Sequence, residues 1–350
     1  MTIRLAINGF GRIGRTVARA ALQRAAVEVV AVNDLADPAM LAHLLQYDSV
    51  YGRLEHEVTA DGEALTVAGH RIRTFREQDP ARLPWGELGI DVVVESTGVF
   101  TDAQDAVRHL RAGAGRVIIS APASNEDLTV VMGANSGTYD GSQRIVSNAS
   151  CTTNCAALMA RVLHDGFGVE RGLLTTVHAY TNDQRLHDLP HHDYRRARAA
   201  ACNIIPTGTG AARAIGKVLP ELAGRLDGMA LRVPVAVGSA VDLTVELSRQ
   251  VTADEVNAAF RKAAEGELEG MLLYSEAPIV SSDIVGSSAS CTFDAPLTMI
   301  GEARPGRGSL VKVMGWYDNE AGFSHRTLDL AELLGTAPIH QALLDRAPSA

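Results

Sequence analysis

The hydrophobic pattern changes character near the middle of the chain. Up to about residue 150, short apolar runs alternate with amphipathic stretches: residues 3–7 (IRLAI), a helical stretch RTVARAALQR, then VEVVAVND over 27–34. The runs IDVVVESTG (90–98), GRVIISAPA (115–123) and DLTVVMGAN (127–135) are apolar enough to be covered on both faces, as parallel strands are. Beyond residue 150 the grammar differs. A helix is expected in AALMARVL after Thr153, followed by longer strands over 172–181, 228–237 and 240–250, and later over 270–276, 289–295 and 309–318. Two helices lie between them, TGAARAIGKVLPEL from Thr209 and TADEVNAAFRKAAEG from Thr252, the second opened by a Thr252/Glu255 capping box. A last amphipathic helix is expected over 325–334. The pattern predicts an α/β chain: a parallel-sheet domain over 1–150, completed by the C-terminal helix (about 319–350), and an α+β domain over 151–318 with a mostly antiparallel or mixed sheet.

Residues 182–203 (NDQRLHDLPHHDYRRARAAACN) show little strand period and are long for a structureless connection, which marks a functional or interface loop. Its arginines Arg185, Arg195, Arg196 and Arg198 read either as an anion site or as a solvated basic surface. At 350 residues two domains are expected, and 46% hydrophobic residues support ordinary globular folding. The formal charge of −9 argues against nucleic acid as a partner. Four scattered cysteines make no disulfide framework or zinc pattern, so a reducing, cytoplasmic setting is expected, with no membrane partner and no metal. The amino terminus runs straight into a strand without a signal-like segment.

The chemistry begins at the first turn. NGFGRIG (8–14) places Gly9, Gly11 and Gly14 in a G-x-G-x-x-G spacing between a strand and a helix, with Asp34 twenty residues after Gly14. Glycines let the backbone approach a pyrophosphate, the helix N-terminus receives its charge, and the acid meets a ribose hydroxyl. Thr97, Gly98, Ser120 and Ala121 sit at strand ends where such a cofactor would lie. In SNASCTTNC, Cys151 falls at a helix N-terminus, whose field lowers the pKa of a thiol, while Cys155 lies one turn further among apolar residues. Cys151 is therefore the candidate nucleophile, and His178, 27 residues on at the end of TTVHAYT, its candidate base. A thiol beside a nicotinamide cofactor implies aldehyde oxidation through a thioester.

With these motifs assembled, the whole chain resembles the phosphorylating glyceraldehyde-3-phosphate dehydrogenases. The likeness rests on INGFGRIGR, NDLADPAMLAHLLQYDSVYG, PWGELGIDVVVESTGVF, VIISAPA, SNASCTTNC, TTVHAYTNDQR, TGAARA, LRVP and WYDNEAGFSHR. It implies NAD as cofactor, bound through Gly9, Gly11, Arg12, Ile13, Asp34, Ser120 and Asn319. It implies Cys151 and His178 as catalytic groups, with Ser150, Thr152, Thr181, Thr209, Gly210, Arg232 and a loop arginine, Arg196 or its neighbour Arg195, binding phosphate. The implied partners are glyceraldehyde 3-phosphate and inorganic phosphate, and the implied assembly is a homotetramer. The chain departs from the family at RVPVAVGSAVDL after Arg232, where common members read RVP-T-P-N-V-S. It also departs in the longer, more basic segment 299–309 and at Gln78, where an arginine often lines the adenine pocket. Two rival readings are erythrose-4-phosphate dehydrogenase, disfavoured by Asp34 and Thr181-Asn182-Asp183, and a non-catalytic thiol sensor, disfavoured by the retained His178 and anion groups.

Overall fold

The computed structural model describes residues 2–336. The chain divides into two compact units, one running up to Ala149 and resuming at Ser324, the other covering Ser150–Phe323. The boundary after residue 318 expected from sequence thus shifts to Ser324. Asn319 is bonded to Gly238 and Ser239, and a Cβ on Gly322 would lie 2.3 Å from the Ala289 carbonyl, so this stretch stays with the second unit. The part of the expected C-terminal segment beyond residue 336 lies outside the described residues.

The first unit holds a nine-stranded sheet. Its order is Leu128–Thr129, Ile145–Ser147, Arg116–Ile119, Val92–Glu95, Ile3–Asn8, Val27–Asn33, His70–Phe75, Ala64–Val67 and Val58–Ala60. All pairs are parallel except the last two. Both faces are covered: Leu5, Ile7, Val92 and Val94 enter one core cluster, and Ala6 and Val93, the alternate residues, enter another with Trp85. The apolar run over 127–135 yields only a two-residue strand. Asn135 explains this, since its side chain accepts from the Val131 N–H and donates to the Thr129 carbonyl, drawing the backbone into a turn.

The second unit is built on a mixed eight-stranded sheet. Its path runs Ile205–Gly208, Leu226–Val233, Val169–Ala179, Ser239–Val251, Gly308–Tyr317, Cys291–Asp294 and Leu272–Ser275, with Met299–Gly301 on the flank of Gly308–Tyr317. Val169–Ala179 runs parallel to Leu226–Val233 and antiparallel to Ser239–Val251. The helix Cys151–Phe167 is largely buried, with Asp165 and Gly166 exposed near its end. It comes close to the sheet at Gly315, where a Cβ would stand 2.6 Å from Met159 Sδ and 2.7 Å from Cys291 Sγ. The helix expected from Thr209 is Ala211–Val218 and stops before Pro220, which has no N–H to continue it. The Thr252/Glu255 capping box forms as expected. Residues 182–203 form a long connection with a single short 3-10 turn, Ala200–Cys202.

Candidate active site

Strand register and one helix start create the centre of the site. His178 and Arg232 are partners in the parallel ladder, so their side chains rise from the same face of adjacent strands. Ser150 caps the helix Cys151–Phe167, its hydroxyl accepting from the Thr153 N–H at 3.1 Å, which leaves Cys151 as the first helical residue. Cys151 Sγ stands 3.3 Å from His178 Nε2. Beneath them Tyr317 is fully buried, its ring edge-on to His178 at 5.9 Å and its hydroxyl 2.8 Å from both Thr152 Oγ1 and Thr176 Oγ1. Sequence reasoning missed Tyr317 and Thr176; the period-2 alternation of Gly308–Tyr317 placed Tyr317 on a face without saying which.

His178 Nδ1 lies 2.7 Å from the Ala179 carbonyl and 2.5 Å from Arg232 Nη1. A carbonyl only accepts and a guanidinium only donates, so the nitrogen serves one partner at a time. A proton on Nδ1 satisfies Ala179 and leaves Nε2 free to take the thiol's proton. Burial, reinforced by the Arg232 charge, pulls the His178 pKa down to about 3, so the ring is neutral at rest. The thiol departs from the sequence expectation. Burial pushes Cys151 up, and Arg232 together with the N–H and hydroxyl of Thr152 draws it down without cancelling that rise. The helix-end field is present, but desolvation outweighs it. The resting pair is therefore thiol and neutral imidazole, and reactivity depends on moving a proton between them.

Cys155 is buried against Met159 Sδ and the Gly315 carbonyl, each at 3.8 Å. Burial and the neighbouring Cys291 thiol hold it well above the ordinary thiol value. Cys155→Ser is expected to keep turnover within about twofold while costing about 1 kcal/mol of stability through a hydroxyl placed among apolar atoms. A thermal melt and an activity assay check this, and alkylation of Cys155 ahead of Cys151 would contradict it.

The groups expected to bind phosphate divide in two. Arg232 stands at the dyad, reaching the Ala179 carbonyl at 3.2 Å as well as His178. Thr152 has its hydroxyl 2.8 Å from that of Tyr317, and both this hydroxyl and its backbone N–H act on the thiol. Ser150 is occupied as the helix cap, and Thr181 bonds Gln184 through its N–H. Thr209 Oγ1 accepts from the Ala211 N–H at 3.2 Å, and Gly210 precedes that helix with open space where a Cβ would stand. Among the loop arginines, Arg196 is the one whose charge bears on Arg232, helping to lower its pKa after burial, the larger cause. Arg196 also bonds Asp183 at 2.6 Å and Thr207 at 2.9 Å, whereas Arg195 is exposed. Arg198 pairs with Asp188 and Arg185 with the Pro190 carbonyl, so much of the loop's basic character is spent within it.

The cofactor residues of the first unit fit a dinucleotide. Gly9 has φ +94°, and a Cβ there would lie 2.6 Å from the Thr97 N–H nitrogen; one on Gly14 would lie 2.2 Å from the Gly9 carbonyl. Gly11, by contrast, faces open space and caps the helix Arg12–Ala21, leaving a cradle beside the first N–H groups. Arg12 pairs with Asp48 at 3.0 Å, and Ile13 packs on the core. Asp34 is held by two backbone donors, Phe10 N–H at 2.8 Å and Ala36 N–H at 3.0 Å, which fixes the carboxylate and leaves lone pairs for hydroxyls. Ser120 donates to the Glu95 carbonyl at a strand end. In the second unit, Asn319 Oδ1 accepts from the Gly238 N–H and the Ser239 hydroxyl, so its Nδ2 amide remains as a donor. Among the described residues no cluster of metal-ligating side chains occurs and no helix is long and apolar enough to cross a membrane.

Comparison with known proteins agrees with this geometry. A family model for the glyceraldehyde 3-phosphate dehydrogenase NAD binding domain matches residues 3–103, and one for the C-terminal domain of the same enzymes matches residues 150–319. The chain is 59% identical over 337 residues to glyceraldehyde-3-phosphate dehydrogenase 2 of Streptomyces avermitilis, covering 96% of this chain and 99% of that protein. It is 60% identical over 332 residues to glyceraldehyde-3-phosphate dehydrogenase 1 of Bacillus subtilis, covering 95% and 98%. It is 59% identical over 337 residues to the enzyme of Geobacillus stearothermophilus, covering 96% and 99%. A thiol and an imidazole brought to 3.3 Å on one unit, a dinucleotide turn on the other and this extent of identity place the chain in the glyceraldehyde-3-phosphate dehydrogenase family.

Proposed function

We propose that the protein oxidises glyceraldehyde 3-phosphate to 1,3-bisphosphoglycerate with NAD and inorganic phosphate. The observation that carries the mechanism is the contact between Cys151 Sγ and His178 Nε2. The S–H proton passes to Nε2 as sulfur adds to the aldehyde carbon. The carbonyl oxygen then becomes an oxyanion held by the Cys151 N–H and the protonated ring, an arrangement worth a few kcal/mol, about 2.7–4, in comparable sites. The ring returns its proton to this oxygen and takes it back when the carbon is oxidised, leaving a thioester on Cys151. Bound NAD supplies the hydride acceptor. A phosphate oxygen attacks the thioester, the thiolate leaves, and it regains its proton from His178. Arg232, an obligate cation with a planar fork, suits a phosphate group. Such an anion also draws the guanidinium charge from His178 Nδ1, which eases protonation of the ring. Ser150, Thr181, Arg196, Thr209 and Gly210 complete the phosphate-binding set in this reading, and Asn319 joins the NAD-binding residues. We place the protein in the cytoplasm as a homotetramer.

The test is NADH absorbance with glyceraldehyde 3-phosphate, with and without inorganic phosphate. Phosphate-dependent NADH formation is expected; its absence would overturn the assignment, and faster turnover of erythrose 4-phosphate would redirect it. Coenzyme choice supplies a further check. A fixed carboxylate at Asp34 binds ribose hydroxyls and repels a 2′-phosphate. Asp34→Ala is expected to weaken NAD binding by about 1.5–3 kcal/mol for each charge-assisted bond lost and to raise use of NADP. Equal turnover of both coenzymes by the unaltered protein would contradict this.

A further inference from the structure

Three side chains the reaction does not use form a buried relay under the dinucleotide crevice. The strand Ile3–Asn8 has Val27–Asn33 on one side and Val92–Glu95 on the other, and this reversal of strand order marks where a crevice opens beyond the carboxyl ends. Asn8 and Glu95, the last residues of two of these strands, are ladder partners at its floor. Glu95 is 2% exposed, and His109 and Trp85 are wholly buried. The indole N–H of Trp85 can only donate, and it lies 3.0 Å from His109 Nδ1. The histidine's hydrogen is thereby set on Nε2, which donates to Glu95 Oε2 at 3.0 Å. The same oxygen accepts from Asn8 Nδ2 at 2.6 Å, and Asn33 orients the Asn8 amide through a 2.7 Å bond to its oxygen. The other oxygen, Oε1, accepts from the N–H of Thr97 at 2.8 Å and from its hydroxyl.

The far end of the relay is the turn Ser96–Val99. Thr97 is fixed by both bonds to Glu95, and its Oγ1 accepts the Val99 N–H at 3.0 Å. Ser96 donates to the Gly9 carbonyl at 2.7 Å, and Gly9 is in contact with the Thr97 backbone, where no Cβ could be accommodated. The position of the glycine-rich turn is thus set by Thr97, and that of Thr97 by Glu95. We propose that Trp85, His109 and Glu95 are positioning residues for the dinucleotide, fixing the turn Ser96–Val99 and through it the glycine cradle at Gly9–Gly11. The proposal rests on the reading that NAD binds at this turn.

The test compares NAD binding with turnover. His109→Leu, which cannot relay the bond, is expected to raise the Kd and KM for NAD by roughly tenfold, the worth of one buried hydrogen bond with a partner left unsatisfied. Its kcat at saturating NAD should stay within about twofold, and alkylation of Cys151 in the absence of NAD should be unchanged. His109→Gln carries an acceptor and a donor at nearly the spacing of the two ring nitrogens, and is expected to restore NAD affinity. Trp85→Phe, which keeps most of the ring volume and removes only the first donor, covers the case in which His109→Leu does not fold, with a smaller rise in Kd. A lowered melting temperature with unchanged NAD affinity, or a Gln variant no better than Leu, would overturn the proposal alone. Failure of the unaltered protein to bind NAD would overturn the cofactor reading and the proposal with it.

Discussion

Cys151→Ser is expected to reduce phosphate-dependent NADH production by on the order of 10⁴-fold or more, the scale of loss when a covalent nucleophile is removed from a concerted site. A hydroxyl is a far weaker nucleophile than a thiol near neutral pH. The base available to it, His178, is held at a pKa of about 3 and is too weak to deprotonate an alcohol. NAD affinity should be unaffected because the glycine turn and Asp34 belong to the other unit, and Asn319 is held by Gly238 and Ser239 rather than by Cys151. The measurement is turnover beside an equilibrium NAD titration. Serine activity within tenfold of the unaltered protein would remove Cys151 from the role.

The second large effect concerns His178. His178→Asn is expected to lower kcat by 10²–10⁴-fold, the usual worth of a positioned acid–base group. It should also shift the pH profile of Cys151 alkylation upward, because the variant loses the Nε2 that takes the thiol's proton while burial still disfavours the thiolate. A second consequence appears in stability. The ring is neutral in the folded protein down to about pH 3, while an unfolded chain protonates it near its ordinary value of 6.5. Between those values the unfolded state binds more protons, so stability falls as pH falls, with a limiting slope of about 1.4 kcal/mol per pH unit for one such group. Asparagine does not titrate, so the variant should lose this share of the acid sensitivity. Denaturant melts at pH 7, 5 and 4 check it; identical pH dependence in the two proteins would show that the ring is protonated in the folded state.

Much of the site was legible in the sequence because its parts are local. The glycine spacing, the helix start within SNASCTTNC and the strand that carries His178 are each set by a few neighbouring residues. What was not legible depends on pairing across the chain. Nothing in the spacing of 85, 95 and 109 announces the Trp85–His109–Glu95 relay, and the ladder opposing His178 to Arg232 is a product of register. The short strands between residues 47 and 75 went unread because their exposed residues, as in His70–Phe75, blur any period. The thiol's pKa was misjudged for a related reason. A helix start is visible in sequence, but the desolvation that outweighs it comes from elements distant along the chain.

The pairing of His178 with Arg232 bears on how the active protein is recovered from the unfolded state. A slip of one residue in that ladder would turn His178 to the opposite face of the sheet, away from Cys151, while leaving most backbone hydrogen bonds available. Secondary structure regained on refolding would therefore not distinguish the correct alignment from a slipped one. Restored reactivity of Cys151 would, because only one alignment of these two strands sets the imidazole beside the thiol.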